Sequence, residues 1–481
     1  MPVGMAFLGV DLGTQGCRTI LAEQNGTVVS SAYVPMSASV PDLPPTWSEQ
    51  RVGEWWPAVR RSIRQSVGGS GSPEAVGVDS TSGTVLAISA GSEPLTNAFM
   101  YNDTRAEVEA GEISIAGRDL EGELGYRIRP SFSVAKLLWL KRNRRRVFEE
   151  ADMFIHAADY VTGRLCGSWE HTDHTNALKS AFDLKRYRWP GFLDDMGIPL
   201  EKLPVVVPPG EQVGEVCEKA SRETGIDQGT PVIAGLTDGC ASQIASGAAD
   251  LGDWETTLGT TLVIKGVTRD LVRDPGGRIY SHLHPEGYWM PGGASSTGGE
   301  CLISRFPGAN LREMDELAGS IIPTGLLSYP LARTGERFPF TSESAEGFIL
   351  GEPSGELEVY AAQLEGVAYV ERMAYEVLGE LGAEVGGRIF TVGGGARSEL
   401  WLKIRASVLQ KRLLRPLVPE AAMGMAVLTA HSQLGEGLGS VARRMVKVDL
   451  EVGPDPELSG AYEDRYRRFR AEIDRRFPCT G

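Results

Sequence analysis

The stretch Phe7-Leu8-Gly9-Val10-Asp11-Leu12-Gly13-Thr14-Gln15-Gly16 constrains this chain more than any other. An apolar run ends in an acid, passes through a Gly/Thr turn and resumes as a second apolar run, Cys17 to Leu21. That pattern predicts a β-hairpin with a carboxylate at the strand end. Gly13 and Gly16 allow a tight turn and close approach of a ligand to the backbone. Thr14 and the exposed backbone N–H groups of the turn can donate to phosphate oxygens, and Asp11 can hold a Mg²⁺ that bridges those phosphates. By itself the stretch also suits an ordinary turn. The device recurs, however: Trp254 to Leu258 reads as a strand, Gly259-Thr260-Thr261 as a turn and Leu262 to Val267 as a strand. Two such hairpins, each near the start of one half of the chain, predict two similarly built domains facing each other, without any short-period sequence repeat.

A chain of 481 residues holds roughly two to four domains, with two large ones expected. Hydrophobic residues at 42% and charged residues at 23% leave ample material for cores. No apolar run is long enough to span a bilayer, and the N-terminus lacks a basic segment followed by a long apolar block, so a cytoplasmic location is expected. The formal charge of −15 argues against nucleic acid as a main partner. It does not exclude a nucleotide, whose charge can be met locally. The six cysteines, Cys17, Cys166, Cys217, Cys240, Cys301 and Cys479, show no metal-ligand spacing, and disulfides are not expected of them.

Along the chain, Asn25-Gly26 reads as a two-residue turn and Thr27 to Val34 as a third antiparallel strand. A Pro/Ser-rich loop leads to a helix carrying Trp55, Trp56, Val59 and Ile63 on one side, with a Gly/Ser tail from Gly68 to Ser72. Ala75 to Val78 is a strand that ends in Asp79-Ser80-Thr81-Ser82-Gly83-Thr84, and Val85 to Ile88 a strand after it. The acid and its hydroxyls suit either a polar turn capping a hairpin or a site for a polyhydroxylated ligand. Asp103, in Tyr101-Asn102-Asp103-Thr104-Arg105, is either an N-cap or a cleft residue. Ser133 to Leu140 is helical and runs into the basic stretch Lys141 to Arg146, a solvated face at a helix C-terminus. Residues 151–189 read as helix, then loop; His171, Asp173 and His174 lie close together there but lack a matching partner for a metal.

Pro231 to Leu236 is a strand leading into Thr237-Asp238-Gly239 and a helix of small residues. Asp238 is either its N-cap or an acid at a helix N-terminus facing a cleft, where anions bind. Tyr288 to Gly299 reads as a Gly/Ser-rich loop and Gly335 to Phe340 as a turn with an embedded cation. Glu356 to Leu378 is the strongest helix, its apolar stripe broken by Glu371. Between the strand Arg388 to Val392 and the next helix, Gly393-Gly394-Gly395-Ala396-Arg397-Ser398 permits close approach by a flat or charged ligand. Glu420 to Leu434 is a second small-residue helix, and Asp464 to Phe477 an amphipathic helix packed on the surface.

In this order the motifs resemble the FGGY family of carbohydrate kinases, within the actin/hexokinase-like ATPase superfamily, over nearly the whole chain. Asp11-Leu12-Gly13-Thr14 is similar to the family's first phosphate loop, and Leu258-Gly259-Thr260-Thr261 to its second. Gly393 to Ser398 is similar to the adenosine loop, Thr237-Asp238-Gly239 to the catalytic-base segment, and Tyr101 to Arg105 to the aromatic-Asn-Asp-x-Arg motif. Lys136-Leu137-Leu138-Trp139 and Gly335-Glu336-Arg337-Phe338-Pro339 resemble further family signatures. Xylulokinases usually carry Gln-Met-His-Gly where this chain has Ser80-Thr81-Ser82-Gly83, and the Arg-Glu pair usual in glycerol kinases is also absent. Asp79 to Leu86, Asp173 to Lys179 and Gly292 to Gly299 look more like the D-ribulose kinases of cyanobacteria and plant plastids.

The resemblance implies an α/β fold of two actin-like (ribonuclease H-like) domains with a central nucleotide and sugar cleft. It puts an N-terminal domain over residues 1–250, a C-terminal domain over 251–440 and a tail with an amphipathic helix over 441–481. It implies ATP-dependent phosphorylation of a terminal hydroxyl of a pentulose, D-ribulose to D-ribulose 5-phosphate, with D-xylulose or another polyol as the alternative. ATP would lie on Gly13, Thr14 and Gln15 and on Gly259, Thr260 and Thr261, with adenosine near Gly394, Gly395 and Ser398 and flanked by Trp401. Asp11 would organise Mg²⁺. The ketose would lie near Ser82, Gly83, Asp103 and Asp238, and Asp238 would accept the proton of the attacking hydroxyl. The partners are then a small sugar and MgATP, with no nucleic acid or membrane; a homodimer is compatible with the resemblance. Outside this class, an actin-like ATPase without a sugar substrate fits the same hairpins, whereas a non-catalytic binding module has no need of both Asp11 and Asp238.

Overall fold

The computed structural model describes residues 4–69 and 71–478; Cys479 lies outside them, and none of the other five cysteines is disulfide-bonded. The chain divides into two compact units. The first comprises residues up to 245 with 282–287 and 418–447; the second comprises 246–281, 288–417 and the residues from 448 on. The expected boundaries at 250 and 440 divide the chain differently, because residues 418–447 pack with the first unit and the C-terminal helix with the second.

The first unit is built on six strands, β1 Ala6–Gly13, β2 Gly16–Glu23, β3 Val28–Pro35, β4 Ala75–Ser80, β5 Gln212–Glu215 and β6 Pro231–Ile233, ordered β5-β6-β4-β1-β2-β3. The opening hairpin forms as its sequence predicts: Gly13 faces Gly16 across an antiparallel pair, which leaves Thr14 and Gln15 as the turn. At the next turn Gly26 takes φ +88 and the Asn25 side chain accepts from the Thr27 N–H, the conformation that favours Asn-Gly there. β1, β4 and β6 run parallel. Strands covered on both faces read as continuous apolar runs, and Phe7, Leu8, Val10, Val76 and Val78 are all buried.

One cover is helix α1, Trp55–Val67, whose Trp55, Trp56, Val59 and Ile63 are buried; helices α2, Ser133–Asn143, and α3, Ala157–Cys166, come later in the chain. The small-residue helix α4, Asp238–Ser246, follows β6. Close packing explains three glycines of this unit. A Cβ at Gly9 would overlap the carbonyl of Ala422, one at Gly77 the side chain of Met425, and one at Gly424 the carbonyl of Ala241. The second small-residue helix, Ala421–Leu434, therefore lies directly on β1, β4 and α4.

Several expectations change here. Ala75–Ser80 and Val85–Ile88 are not a hairpin: the second segment leaves the main sheet and joins a smaller one with Glu49–Gln50, Ala98–Phe99 and Met153–His156. Residues 151–189 contain two strands, Met153–His156 and His171–Asp173, around the helix Ala157–Cys166. Asp173 caps the following turn, accepting from the N–H groups of Thr175 and Asn176. His174 is neutral, its ring pushed down to about 3 by burial, and Nε2 lies 2.9 Å from the Leu283 carbonyl. The basic run is a solvated face: Arg145 and Arg146 pair with Glu149 and Glu150 one turn on.

The second unit repeats the plan. Its strands are β7 Trp254–Leu258, β8 Leu262–Gly266, β9 Ile279–Leu283, β10 Trp289–Ala294, β11 Arg388–Val392, β12 Arg412–Pro416 and β13 Val448–Val452, ordered β9-β10-β8-β7-β11-β12-β13. β7 and β8 form the second Gly/Thr hairpin, and β11 and β12 continue the sheet in parallel, as β4 and β6 do beside β1. β10 corrects the reading of 288–299 as wholly loop; it pairs with β8.

The long helix α5, Glu356–Glu380, forms as expected. Glu371 interrupts its stripe for a reason. Its carboxylate and the Arg405 guanidinium are both fully buried and paired at 2.6 and 2.8 Å, and Arg405 also donates to Thr391 on β11. The C-terminal helix, Pro456–Arg476, is amphipathic as expected: Tyr462, Tyr466, Phe469 and Ile473 are buried in the unit's hydrophobic core, while its charged face is exposed. Among the described residues no helix is long and apolar enough to cross a membrane.

Candidate active site

Parallel pairing brings the chemistry of the first unit to one edge. Asp11 on β1 lies in register with Asp79 on β4, and Leu12 with Ser80; Ser80 in turn bridges to Thr237, the residue before Asp238. Three acids thus converge at the carboxyl ends of adjacent strands, where open α/β sheets bind ligands. Burial, and then the charge of Asp238, push Asp11 up to about 6. Asp79 is held well above the usual carboxylate range by burial and by the charges of Asp11 and Asp238. Both Asp79 oxygens are buried without a donor, as are the hydroxyls of Ser80 and Ser82; the neighbour Asp79 faces is the carboxylate of Asp11. Carboxylates this close favour a shared proton or a cation between them.

The rest of this edge is rigidly held. The Thr14 carbonyl accepts from buried Gln50 Nε2 at 2.8 Å, and Gln50 Oε1 accepts from the Trp55 indole. The Gln15 carbonyl accepts from Met36 N–H and from the Tyr33 hydroxyl. Behind Ser82 and Gly83 stand two lysines. Lys136, fully buried and pushed down to about 7 by desolvation, donates to the carbonyls of Gly83 and Met100 at 2.9 and 2.6 Å. Lys179, also lowered by burial but supported by the charge of Asp238, reaches the Ser82 carbonyl at 3.4 Å. Gly83 takes φ +80, and a Cβ there would meet Lys179 at 2.8 Å. Asp238 begins α4 and accepts from the Gly239 N–H at 2.7 Å.

Asp103 is not the cap of the helix after it, which starts at Glu107. It is fully buried, accepting from Ser48 N–H at 2.7 Å and from the Arg105 guanidinium at 2.7 Å. Arg105 also pairs with Glu49 and stacks on Trp47 at 3.7 Å.

In the second unit, Gly259, Thr260 and Thr261 form the turn of the β7–β8 hairpin, with Thr260 exposed. In the triple glycine, Gly394 has open space around its Cβ position, whereas a Cβ on Gly395 would meet Leu258 at 2.5 Å. Gly395 is therefore accounted for by packing. Ser398 caps the next helix, α6 Glu399–Leu409, by accepting from Trp401 N–H at 2.9 Å. Trp401 corrects an expectation: it is 3% exposed in the core, its indole donating to the Leu364 carbonyl, so it has no face to offer an adenine.

Sequence reading offered Asp79 only as one of two readings of its strand end, and missed Gln50, Lys136 and Lys179 as candidate site residues. Asp79 carried a signal, an acid at a second strand end. The lysines sat within motif segments, and nothing local marks Gln50.

Comparison with known proteins identifies the family. The N-terminal domain of the FGGY family of carbohydrate kinases matches residues 6–245, and the family's C-terminal domain matches 254–433. A xylulose kinase of Staphylococcus epidermidis is 27% identical over 96% of this chain and 95% of its own length. A gluconokinase of Bacillus subtilis is 25% identical over 89% of this chain and 87% of its own. The crystal structure of a xylulose kinase from Rhodospirillum rubrum superposes with a TM-score of 0.87 at 26% identity, covering 98% of this chain and 99% of that one. With a Gly/Thr hairpin continued by parallel strands in each unit, acids gathered at the strand ends of the first and both domain models matched, the chain belongs to the FGGY family of carbohydrate kinases, enzymes that phosphorylate a sugar with ATP.

Proposed function

We propose that this kinase phosphorylates the terminal hydroxyl of a pentulose and takes D-ribulose best, giving D-ribulose 5-phosphate. The observation that supports this reading is the group of buried, unpartnered polar atoms on Asp79, Ser80 and Ser82 beside Asp11. A buried polar group without a partner is costly, and a polyol supplies hydroxyls that both donate and accept. Ser82, Gly83 and Asp103 would border the sugar, with Lys136 and Lys179 fixing the carbonyls of that segment. Asp238 would accept the proton as the hydroxyl attacks, a role typically worth about 10²–10⁴-fold. Phosphoryl transfer otherwise depends on positioning and charge stabilisation. Gly13, Thr14 and Gln15 in the first unit, and Gly259, Thr260 and Thr261 in the second, would hold phosphate oxygens; Gly394, Gly395 and Ser398 would border the adenosine.

The residues fit Mg²⁺ through Asp11. Such an ion is commonly held by one or two carboxylates with substrate phosphates and waters completing its shell. Among the described residues no group of three or more His, Cys, Asp or Glu is arranged to hold a metal unaided. When bound, the ion neutralises charge on the phosphates.

D-xylulose is the second reading, favoured by the xylulose kinases among the relatives. The test is kcat/KM for D-ribulose and D-xylulose in one coupled assay. Higher kcat/KM for D-ribulose, lowered by Ser82→Ala more than ATP affinity is, is expected; a preference for D-xylulose overturns the D-ribulose reading.

A further inference from the structure

The segment read from sequence as a turn with an embedded cation is organised instead around an anion. Arg337 is exposed, whereas Glu336 is 3% exposed. Its carboxylate accepts five hydrogen bonds. Oε1 takes the backbone N–H groups of Ser296 at 2.6 Å and Arg337 at 3.0 Å. Oε2 takes the hydroxyls of Ser295 at 2.9 Å, Thr297 at 3.0 Å and Tyr329 at 3.0 Å. Three of the five donors come from consecutive residues, 295–297. That segment is the backing of the second Gly/Thr turn. Ser295 N–H donates to the Leu262 carbonyl at 2.9 Å, and Leu262 N–H to the Thr297 carbonyl at 2.8 Å. Gly299 N–H donates to the Gly259 carbonyl at 2.8 Å, and Glu300 N–H to the Thr260 carbonyl at 3.1 Å. The approach is so close that a Cβ on Gly298 would stand 2.5 Å from Thr261 Cα. A buried carboxylate is thus one hydrogen-bonded segment away from the turn, and every donor it takes comes from the same unit.

We propose that Glu336 is a positioning residue for nucleotide binding: it fixes residues 295–299, which fix the Gly259–Thr261 turn in the geometry that receives the phosphates of ATP. The proposal rests on the reading that this turn holds those phosphates. Small misplacements of a phosphate-holding group cost up to about 10²-fold in rate. The two carboxylate oxygens also separate the variants. An amide oxygen at Oε1 still accepts the two backbone N–H groups, and the two hydrogens of its NH₂ at Oε2 can donate to two of the three hydroxyls, which can turn and accept. Gln is therefore a conservative replacement and Ala is not.

The test compares Glu336→Ala, Glu336→Gln and Thr297→Val in the full-length enzyme, with steady-state kinetics in both substrates and calorimetric ADP binding. Glu336→Ala is expected to raise KM for ATP about tenfold and weaken ADP binding in parallel, with KM for the sugar changed less than twofold. Glu336→Gln recovers most of the ATP affinity. Thr297→Val, which removes a single bond of the segment, gives a smaller shift of the same kind and stands in if Glu336→Ala does not fold. A control, Thr261→Val, tests the underlying reading. If Thr261→Val weakens ATP binding while the Glu336 and Thr297 variants leave it within twofold, the positioning role is overturned and the phosphate reading survives. If Thr261→Val has no effect on ATP or ADP binding, both are overturned. Equal rises in KM for ATP and for the sugar also overturn the positioning role.

Discussion

Asp11 makes folding of the ligand-free protein depend on pH in a direction opposite to that of an ordinary salt-bridged acid. Its carboxyl is raised from 3.8 to about 6 in the folded chain, first by burial and then by Asp238. The folded state therefore holds this proton more tightly than the unfolded chain does. The stability Asp11 contributes is fully present below 3.8 and is lost as pH rises through 6. Integrating the difference between the two titrations gives a loss of about 2 kcal/mol between pH 4.5 and 7.5, nearly all of it complete by pH 7. Asp79, raised by burial and by the charge of Asp11, adds a term of the same sign. Asp11→Asn removes the titrating group without changing its size, so comparing the two proteins cancels acids elsewhere. The assay is urea unfolding of both proteins, without nucleotide or divalent cation, at half-unit steps from pH 4.5 to 7.5. The stability of Asp11→Asn relative to the parent should grow by at least about 2 kcal/mol across that range and then level off. A difference that stays constant with pH, or shrinks, would refute the claim that this strand end is a desolvated acid cluster.

Two further outcomes follow from the same structure. Asp238→Asn should lower kcat by about 10²-fold or more while ADP affinity by calorimetry changes little; near-normal turnover would remove Asp238 from the role of base. Arg405→Met leaves Glu371 buried and unpaired and should destabilise the protein by about 3–5 kcal/mol, whereas Arg405→Met with Glu371→Leu should recover most of the loss; thermal unfolding of the single and double variants decides, and a single variant as stable as the parent would contradict it.

Much of the fold was legible because it is written in local pattern. The β1–β2 hairpin needs only two apolar runs and the glycines between them, all within the first segment, and β7–β8 likewise shows as two strand-like runs around Gly259-Thr260-Thr261. The long helix Glu356–Glu380 declares itself by spacing alone. The residues that failed were those whose role is set by a distant neighbour. Glu371 looks like a flaw in a stripe until Arg405 is brought opposite it. Trp401 looks like a ring near a glycine loop until the core closes over it. The C-terminal helix declares its two faces in sequence, but only the fold says where the apolar one goes: Tyr462, Tyr466, Phe469 and Ile473 fill a core assembled from segments far away in sequence.

The sequence by itself determined the kind of chain this is: two strand-turn-strand devices rich in Gly and Thr, an acid at the end of three strands, and motifs in the order of one kinase family. Only the tertiary structure decided which of those groups act together. Parallel pairing of β1 with β4 is what sets Asp11 beside Asp79, and the bridge from Ser80 to Thr237 is what brings Asp238 to the same edge. Register between strands far apart in sequence is fixed by packing both sheet faces against helices, through contacts as close as Gly9 on Ala422 and Gly424 on Ala241. A carboxylate's charge and partners depend on that burial, so they exist only once the sheet has closed.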